Sequence, residues 1–245
     1  MDTLQYKLIQ LLFALPSFTL IFFIYKGIRA GLQNSGYSTE SQKKISLYFL
    51  SAVTLWIIFV SVLSLKGFFL DFSTTPPKIF IVLIIPLITT IYFLISKRTN
   101  KILTAVPEEW LIYIQSFRII VEILLWMLLL NNLLPVQMSF EGRNFDIIAG
   151  LTAPVIAYFC YTKKKWSSTV ALVWNFIGLA LLLNIVIIAI LSMPTKLRVF
   201  MNEPSNTIVA NFPIIFLPAI LVPVAYAIHL FSIKQILLKR KGVVS

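Results

Sequence analysis

The sequence has little of what most enzymes and secreted domains depend on. It contains one cysteine, Cys160, one histidine, His229, and only 12% charged residues in a chain of 245. A single cysteine excludes an intramolecular disulfide and a cysteine-based metal cluster, and one histidine leaves few ligands for a zinc hydrolase. A glycine-rich phosphate loop and a Ser-His-Asp set are also absent. We therefore favour a non-enzymatic function and expect no bound cofactor.

Apolar residues, in contrast, are in excess. They make up 59% of the chain, against about 45–50% in soluble domains, and the mean hydropathy is +0.91. Runs of about 20 apolar residues recur between charged stretches, which is the length of a transmembrane helix. We predict an all-α integral membrane protein in which residues 1–245 form a single transmembrane domain. The seven predicted helices cover residues 8–28, 46–66, 79–96, 111–134, 146–162, 169–192 and 212–236.

Lysine and arginine are distributed unevenly between the connections. Fourteen of the 21 lie in the first, third and fifth connections and the carboxyl-terminal tail, and six lie in the other connections and the amino-terminal segment. The positive-inside rule then predicts an external amino terminus and a cytoplasmic carboxyl terminus, and we expect a bacterial cytoplasmic membrane. The net charge of +12 thus reports topology, and the expected partner is the lipid bilayer rather than nucleic acid.

The stretch SFRIIVEILLW places two opposite charges, Arg118 and Glu122, inside the fourth predicted helix. Four residues apart on a helix, they share one face, and Glu122 lies about 16 Å from the start of the helix at 1.5 Å per residue. A lone carboxylate at that depth needs a proton or a partner. We expect Arg118 and Glu122 to neutralise each other; the alternative is that Glu122 serves as a coupling carboxylate.

Further polar residues are predicted to lie at depth or at the outer surface. Together with Arg118 and Glu122, a candidate intramembrane polar site consists of Asn184, Tyr92, His229 and Tyr226, although each alone is typical of an interhelical hydrogen bond. The connection SFEGRNFD supplies a second, external candidate site. Its polar side chains either bond one another and cap the fifth helix or recognise a ligand beneath a lid formed by residues 192–211. The residues concerned are Glu141, Arg143, Asn144 and Asp146.

The two halves of the chain share a weak internal pattern. Helix three reads PLITTIYFLISK from Pro86 and helix seven reads PVAYAIHLFSIK from Pro223, each with a lysine eleven residues after the proline. Helices 1–3 and 5–7 would then be parallel repeats joined by helix four. This 3+1+3 layout with an external amino terminus resembles that of the SWEET-type sugar transporters, although helices two and six lack that family's prolines. The resemblance is architectural and implies solute transport.

Two classes of function follow from these features. The first is a small-solute transporter or channel with a polar site near the bilayer midplane, which the proline-containing helices and Glu122 favour. The second is a non-catalytic sensor, scaffold or subunit that packs against a membrane-protein partner or a second copy of itself. The two differ in where Glu122, Asn184 and His229 point: into one hydrated cavity, or into separate helix contacts.

Overall fold

The apolar runs form helices, and no strand occurs in residues 3–242, the part of the chain that the computed structural model describes (side chains at residue 8 and from residue 10 onwards). Within this described part, nine α-helices follow one another. They are α1 Thr3–Asn34, α2 Thr39–Leu65, α3 Ile81–Ile95, α4 Lys97–Ala105, α5 Glu108–Tyr113, α6 Phe117–Leu130, α7 Ile147–Ala157, α8 Ser168–Leu191 and α9 Val222–Arg240. Because a 3₁₀ turn at Ile114–Ser116 joins α5 to α6, these two helices form one rod.

Among residues 3–242, six helical segments are long and apolar enough to cross a bilayer, in agreement with the predicted helical membrane class. They are Gln10–Asn34, Thr39–Leu65, Lys78–Ile95, Glu108–Leu130, Ser168–Leu191 and Leu217–Arg240. The predicted fifth helix is a shorter apolar helix, Ile147–Thr162, in which α7 continues into a π-helical turn at Tyr158–Thr162. A second π-helical turn, Leu217–Leu221, precedes α9.

Helix α4 was not among the predicted helices, because its sequence KRTNKILTA is polar and does not stand out in hydropathy. It lies between the ends of two longer helices. The Asn34 amide donates to the Ala105 carbonyl over 3.1 Å, and the Gln235 amide donates to the carbonyls of Leu103 (2.6 Å) and Val106 (2.7 Å). We call this end of the bundle, with residues 27–44, 94–110, 161–169 and 234–242, the basic end.

Burial differs strongly between the helices. In the most apolar stretch of each segment, only 11% of the residues of α2 and 17% of those of the segment ending in α3 are buried inside the protein. The fraction is 44% for the α5–α6 rod and 50% for the segment ending in α9. Apolar side chains exposed on α2 and α3 are the normal outer surface of a protein whose solvent is lipid. Helices α6 and α9 therefore form the centre of the bundle, and the polar residues that they carry are enclosed by protein.

Candidate functional site

The central helix α6 carries two ionisable side chains on one buried face. Arg118 and Glu122 are each only 1% exposed, and Arg118 is the largest fully buried side chain among the described residues. Their spacing of four residues places them one helical turn apart. Burial of this kind is costly unless each charged group finds hydrogen-bond partners inside the protein.

The connection between α6 and α7 supplies those partners by folding back into the bundle. Asp146, which is 5% exposed, accepts hydrogen bonds from Arg118 Nε, over 2.6 Å, and from Arg118 Nη2. Asn144, fully buried, donates from its amide to both carboxylate oxygens of Glu122 at 2.7 Å. Its own Oδ1 accepts from the backbone N–H of Asp146 at 3.0 Å. Both buried charges of α6 are thus bonded by one short segment.

The expected pairing of Arg118 with Glu122 is therefore wrong, because the Arg118 guanidinium forms its ion pair with Asp146. Among the described residues Glu122 forms no ion pair, and its hydrogen bonds come from the neutral amide of Asn144. Asp146 does occupy the position before α7, as expected, but its side chain caps no backbone N–H there. The carboxylate faces the arginine instead.

The polar contacts continue from Arg118 to helices α8 and α9. Arg118 Nη1 lies 2.9 Å from His229 Nε2, and His229 Nδ1 lies 2.9 Å from Asn175 Oδ1. Because a guanidinium can only donate, Nε2 must accept. His229 is then neutral with its proton on Nδ1, which donates to Asn175. The Asn175 amide donates in turn to the hydroxyl of Ser232 at 2.9 Å.

These contacts form a continuous hydrogen-bonded chain across α6, the connection before α7, α8 and α9. Each neighbouring pair is joined by a direct side-chain contact or, between Asn144 and Asp146, by a side-chain contact to the backbone. We name it the polar chain; in order of contact its members are Glu122, Asn144, Asp146, Arg118, His229, Asn175 and Ser232.

Close packing holds the histidine ring in place. A Cβ atom at Gly178 would overlap the imidazole of His229, so only glycine allows α8 to approach α9 this closely. The Trp174 ring covers the imidazole at a centroid distance of 5.2 Å, and the Gly178 carbonyl accepts a longer hydrogen bond from Arg118, 3.4 Å. The ring nitrogens are thereby aimed at Arg118 and Asn175.

The external candidate site is divided by the structure. Asn144 and Asp146 enter the polar chain, whereas Glu141 and Arg143 remain exposed at the surface. The indole of Trp126 donates to Glu141 over 2.6 Å, and the Arg143 guanidinium lies 5.3 Å above the Phe200 ring. This last contact joins the connection to residues 192–211, the segment that we expected to act as a lid.

The other intramembrane candidates lie apart from the polar chain. Asn184 donates from its amide to the carbonyl of Arg143 at 2.8 Å, so it anchors the connection between α6 and α7. Tyr92 is 63% exposed on α3, and the hydroxyl of Tyr226 donates to the Leu83 carbonyl at 3.4 Å. Of the six intramembrane candidates, the structure brings together Arg118, Glu122 and His229.

Two members of the polar chain, Asn175 and Ser232, were not among the candidate residues. Each stands three residues from a group at the centre of the site: Asn175 precedes Gly178 on α8, and Ser232 follows His229 on α9. Residues three apart lie on one helix face, so the His229–Ser232 spacing was a signal in the sequence. On α8, Asn175 stood out only as a polar residue in an apolar helix, which does not show what it contacts.

Two cavities open near the ends of the bundle. One, of about 710 Å³, lies at the basic end beside Glu109, Tyr161 and Lys164. The other, of about 390 Å³, lies at the opposite end beside Arg143 and Phe200. Neither is lined by a member of the polar chain. Within the described residues, moreover, no three His, Cys, Asp or Glu side chains are grouped so as to hold a metal ion.

Fold and site together define a helical membrane protein with a buried chain of polar side chains at its centre. The protein belongs to the family described as Domain of unknown function (DUF8737), whose model matches residues 76–237. No curated protein and no solved structure matches it. The matched region contains every member of the polar chain, and α1 and α2 precede it.

Proposed function

We propose that this protein moves a small solute across the bilayer and that the polar chain is its coupling site. The observation that carries the proposal is the direct contact of Arg118 with both Asp146 and His229, which joins three separate parts of the bundle. Ionisable groups are costly at membrane depth, and where they occur they commonly mark the paths of ions and substrates.

The balance of charges in the polar chain supports Glu122 as the coupling residue. Arg118 and Asp146 neutralise each other, and His229 is neutral because its Nε2 accepts from a guanidinium. Glu122 then remains as the one carboxylate of the chain without a cation, held by the Asn144 amide alone. A proton bound there would leave the chain neutral. Uptake and release of that proton could accompany movement of the solute.

We take irregular turns in the helical segments that contain α7 and α9, the helices that follow Asp146 and carry His229, as the joints that such a movement requires. A π-helical turn follows α7 at Tyr158–Thr162, and another precedes α9 at Leu217–Leu221. Pro154 lies inside α7, and Pro223 lies in the first turn of α9. Helices bend most readily at proline and at π-helical turns, and π-helical turns often lie at functional sites.

The topology that belongs to this proposal has seven crossings, with the amino terminus outside and the carboxyl terminus in the cytoplasm. Three observations support it: the shorter helix Ile147–Thr162 is apolar, the basic end gathers most of the lysines and arginines, and Arg240 donates to Thr169 there over 2.7 Å. We retain the 3+1+3 repeat as part of the same proposal, together with a bacterial cytoplasmic membrane as the location.

The proposal is tested in proteoliposomes loaded with a pH-sensitive dye and exposed to a panel of sugars, amino acids and organic acids. We expect one class of solute to drive proton movement. Glu122→Gln should abolish it while the protein remains monodisperse, since an amide cannot release a proton. Glu141→Gln, at an exposed carboxylate of the α6–α7 connection, is the matched control and should stay active. Proton-coupled uptake that persists in Glu122→Gln contradicts the assignment.

One observation favours the second candidate, a non-catalytic sensor, scaffold or subunit. Neither cavity reaches the polar chain, so all of its contacts can serve to hold α6, α8 and α9 together. A partner, whether a second copy or another membrane protein, would then pack on apolar faces such as that of α2. Stoichiometric co-purification of a membrane protein, with no solute response in proteoliposomes, would favour this candidate over transport.

A further inference from the structure

The cavity at the basic end has an arrangement of charges that the proposed transport function does not use. It lies between the start of α5, the π-helical turn after α7, the start of α8 and the last turn of α9, and its volume is about 710 Å³. Both signs of charge line it: the acids are Glu108 and Glu109, and the bases are Lys164, Lys239 and Arg240. A cavity of this size and composition is suited to a ligand that carries both charges.

Some of these charges already have partners, and some do not. Lys239 Nζ lies 3.0 Å from Glu108 Oε2, so this pair neutralises itself. Arg240 Nη2 is held over the start of α8 by Ser168 Oγ (3.2 Å) and Thr169 Oγ1 (2.7 Å). Within the described residues, neither Lys164 nor Glu109 forms an ion pair. The cavity therefore keeps a base and an acid for a ligand.

Tyr161 adds an unsatisfied polar group at the wall of this cavity. It lines the cavity, and its hydroxyl is buried without a hydrogen-bond partner among the described residues. A buried hydroxyl that makes no hydrogen bond is costly, and almost all such groups in proteins have a partner. Because protein atoms cover the hydroxyl, a ligand oxygen would supply the missing partner only after the Tyr161 side chain turned towards the cavity.

The backbone conformation at Lys164 sets the direction in which its side chain leaves the end of the helix. Lys164 has a φ of 52°, in the left-handed region that glycine and asparagine adopt most easily. This conformation ends the π-helical turn after α7, where the backbone N–H groups of Lys165 and Trp166 donate to the Phe159 carbonyl over 2.9 and 3.2 Å, as is common at helix ends. The side chain that this conformation presents is the unpaired base of the cavity.

We propose that this cavity binds a phosphate ester that also carries an ammonium group, as in the headgroup of phosphatidylethanolamine. Arg240 and Lys164 would hold the phosphate oxygens, because guanidinium and ammonium groups form strong charge-assisted hydrogen bonds to phosphate. The amino-terminal end of α8, a helix of 24 residues, adds the favourable end of its dipole. Glu109 would accept from the ammonium group of the ligand.

The position of the cavity agrees with a ligand at headgroup depth. It lies at the ends of the membrane-spanning segments, and Trp166, two residues after Lys164, stacks on Phe159 with a centroid distance of 4.8 Å. Tryptophan is enriched at the membrane–water interface. The ligand could come from a membrane lipid or from a soluble phosphoethanolamine ester, and the two sources share the same chemistry.

The test measures thermal unfolding of the delipidated full-length protein in detergent, with added phosphatidylethanolamine, phosphatidylglycerol or glycerophosphoethanolamine. We expect the ethanolamine lipid to stabilise more than the glycerol lipid. Lys164→Gln should weaken its binding about ten-fold, as for the loss of one charge-assisted contact. Glu109→Gln should remove the preference for the ethanolamine lipid, and Lys165→Gln, an exposed neighbour, is the matched control. Arg240→Gln repeats the test at the second base, with Arg240→Lys preserving its charge.

The source of the ligand is decided in the same experiment. Stabilisation by glycerophosphoethanolamine as well as by the lipid means that the headgroup alone is bound, and stabilisation by the lipid alone means that its acyl chains contribute. Two results would overturn the proposal: equal stabilisation of wild type by the two lipids, or an unchanged response to the ethanolamine lipid in Lys164→Gln. Neither result bears on proton coupling at Glu122.

Discussion

Removing the carboxylate of Asp146 should leave the guanidinium of Arg118 charged and without its counter-ion in the centre of the bundle. Arg118 is 1% exposed and would lose two hydrogen bonds at once, from Nε and from Nη2. A hydrogen bond to a charged group contributes about 1.5–3 kcal/mol, and breaking a buried ion pair costs about 3–5 kcal/mol. We therefore expect Asp146→Leu to lower the free energy of unfolding by about 3–5 kcal/mol.

The double change Arg118→Met with Asp146→Leu should be far milder, because no member of the ion pair is left unpaired. Its main cost is the hydrogen bond that His229 Nε2 loses, about 1 kcal/mol. Arg118→Met alone leaves the carboxylate without a cation and should resemble Asp146→Leu. The double-mutant cycle should therefore give a coupling free energy of more than about 2 kcal/mol.

The assay is unfolding in detergent, followed by heat and by denaturant, on the two single variants and the double variant. Glu122, one turn from Arg118, could serve as a substitute acceptor in Asp146→Leu, so the cycle is repeated in a Glu122→Gln background. Arg98→Met, at an exposed arginine of α4, controls for the loss of a positive charge. Additive losses in both backgrounds would refute the reasoning, because they would mean that Arg118 and Asp146 do not compensate each other.

Three further predictions concern packing, topology and a surface ion pair. Gly178→Ala should cost about 1–3 kcal/mol, typical of overpacking, because its methyl group meets His229; an unchanged melting temperature contradicts this. Labelling of single cysteines in a Cys160→Ser background should place Thr75 and Ser205 outside and Ser41 and Ser167 inside. Inverted labelling would overturn the predicted topology. Hydrogen bonds from Lys78, which has the larger effect, and from Ser73 lower the pKa of Asp71 to about 2. Because the folded pKa lies below the unfolded one, the contribution of this pair to stability is present at neutral pH and lost as the pH falls from about 4 through 2; Lys78→Met should return the pKa of Asp71 towards its ordinary value in an NMR titration.

The helices could be predicted from sequence to the extent that hydropathy alone decides them. The segment Thr39–Leu65 has a mean hydropathy of 2.2 in its most apolar stretch, so composition alone marks it as a transmembrane helix. Helix α4 escaped because it is polar and is stabilised by the ends of α1 and α9, which are distant in sequence. The shortness of α7 also depends on a contact that is distant in sequence. Asp146 directly precedes α7 and bonds Arg118 in the centre of the bundle, so α7 starts inside the bundle.

The site could be predicted only in part, for the same reason. The spacing of Arg118 and Glu122 correctly placed two charges on one buried face, but the rule for pairs four residues apart is local. It cannot show that Asp146, 28 residues away, provides a better partner. The contact of Arg118 with His229 spans 111 residues. Such contacts depend on the packing of helices, which one sequence does not encode in a visible pattern.

The way in which the polar chain is assembled bears on how it could work. Asn144 and Asp146 belong to one connection, yet they bond different groups on α6, namely Glu122 and Arg118. Any outward movement of that connection would separate both pairs together, because the backbone N–H of Asp146 donates to Asn144 Oδ1 and ties the two residues to each other. Glu122 would then lose the amide that holds it while Arg118 lost its counter-ion. On the proposed function, therefore, opening of this connection and release of a proton from Glu122, whose carboxylate could then pair with the freed Arg118, would be two parts of one step.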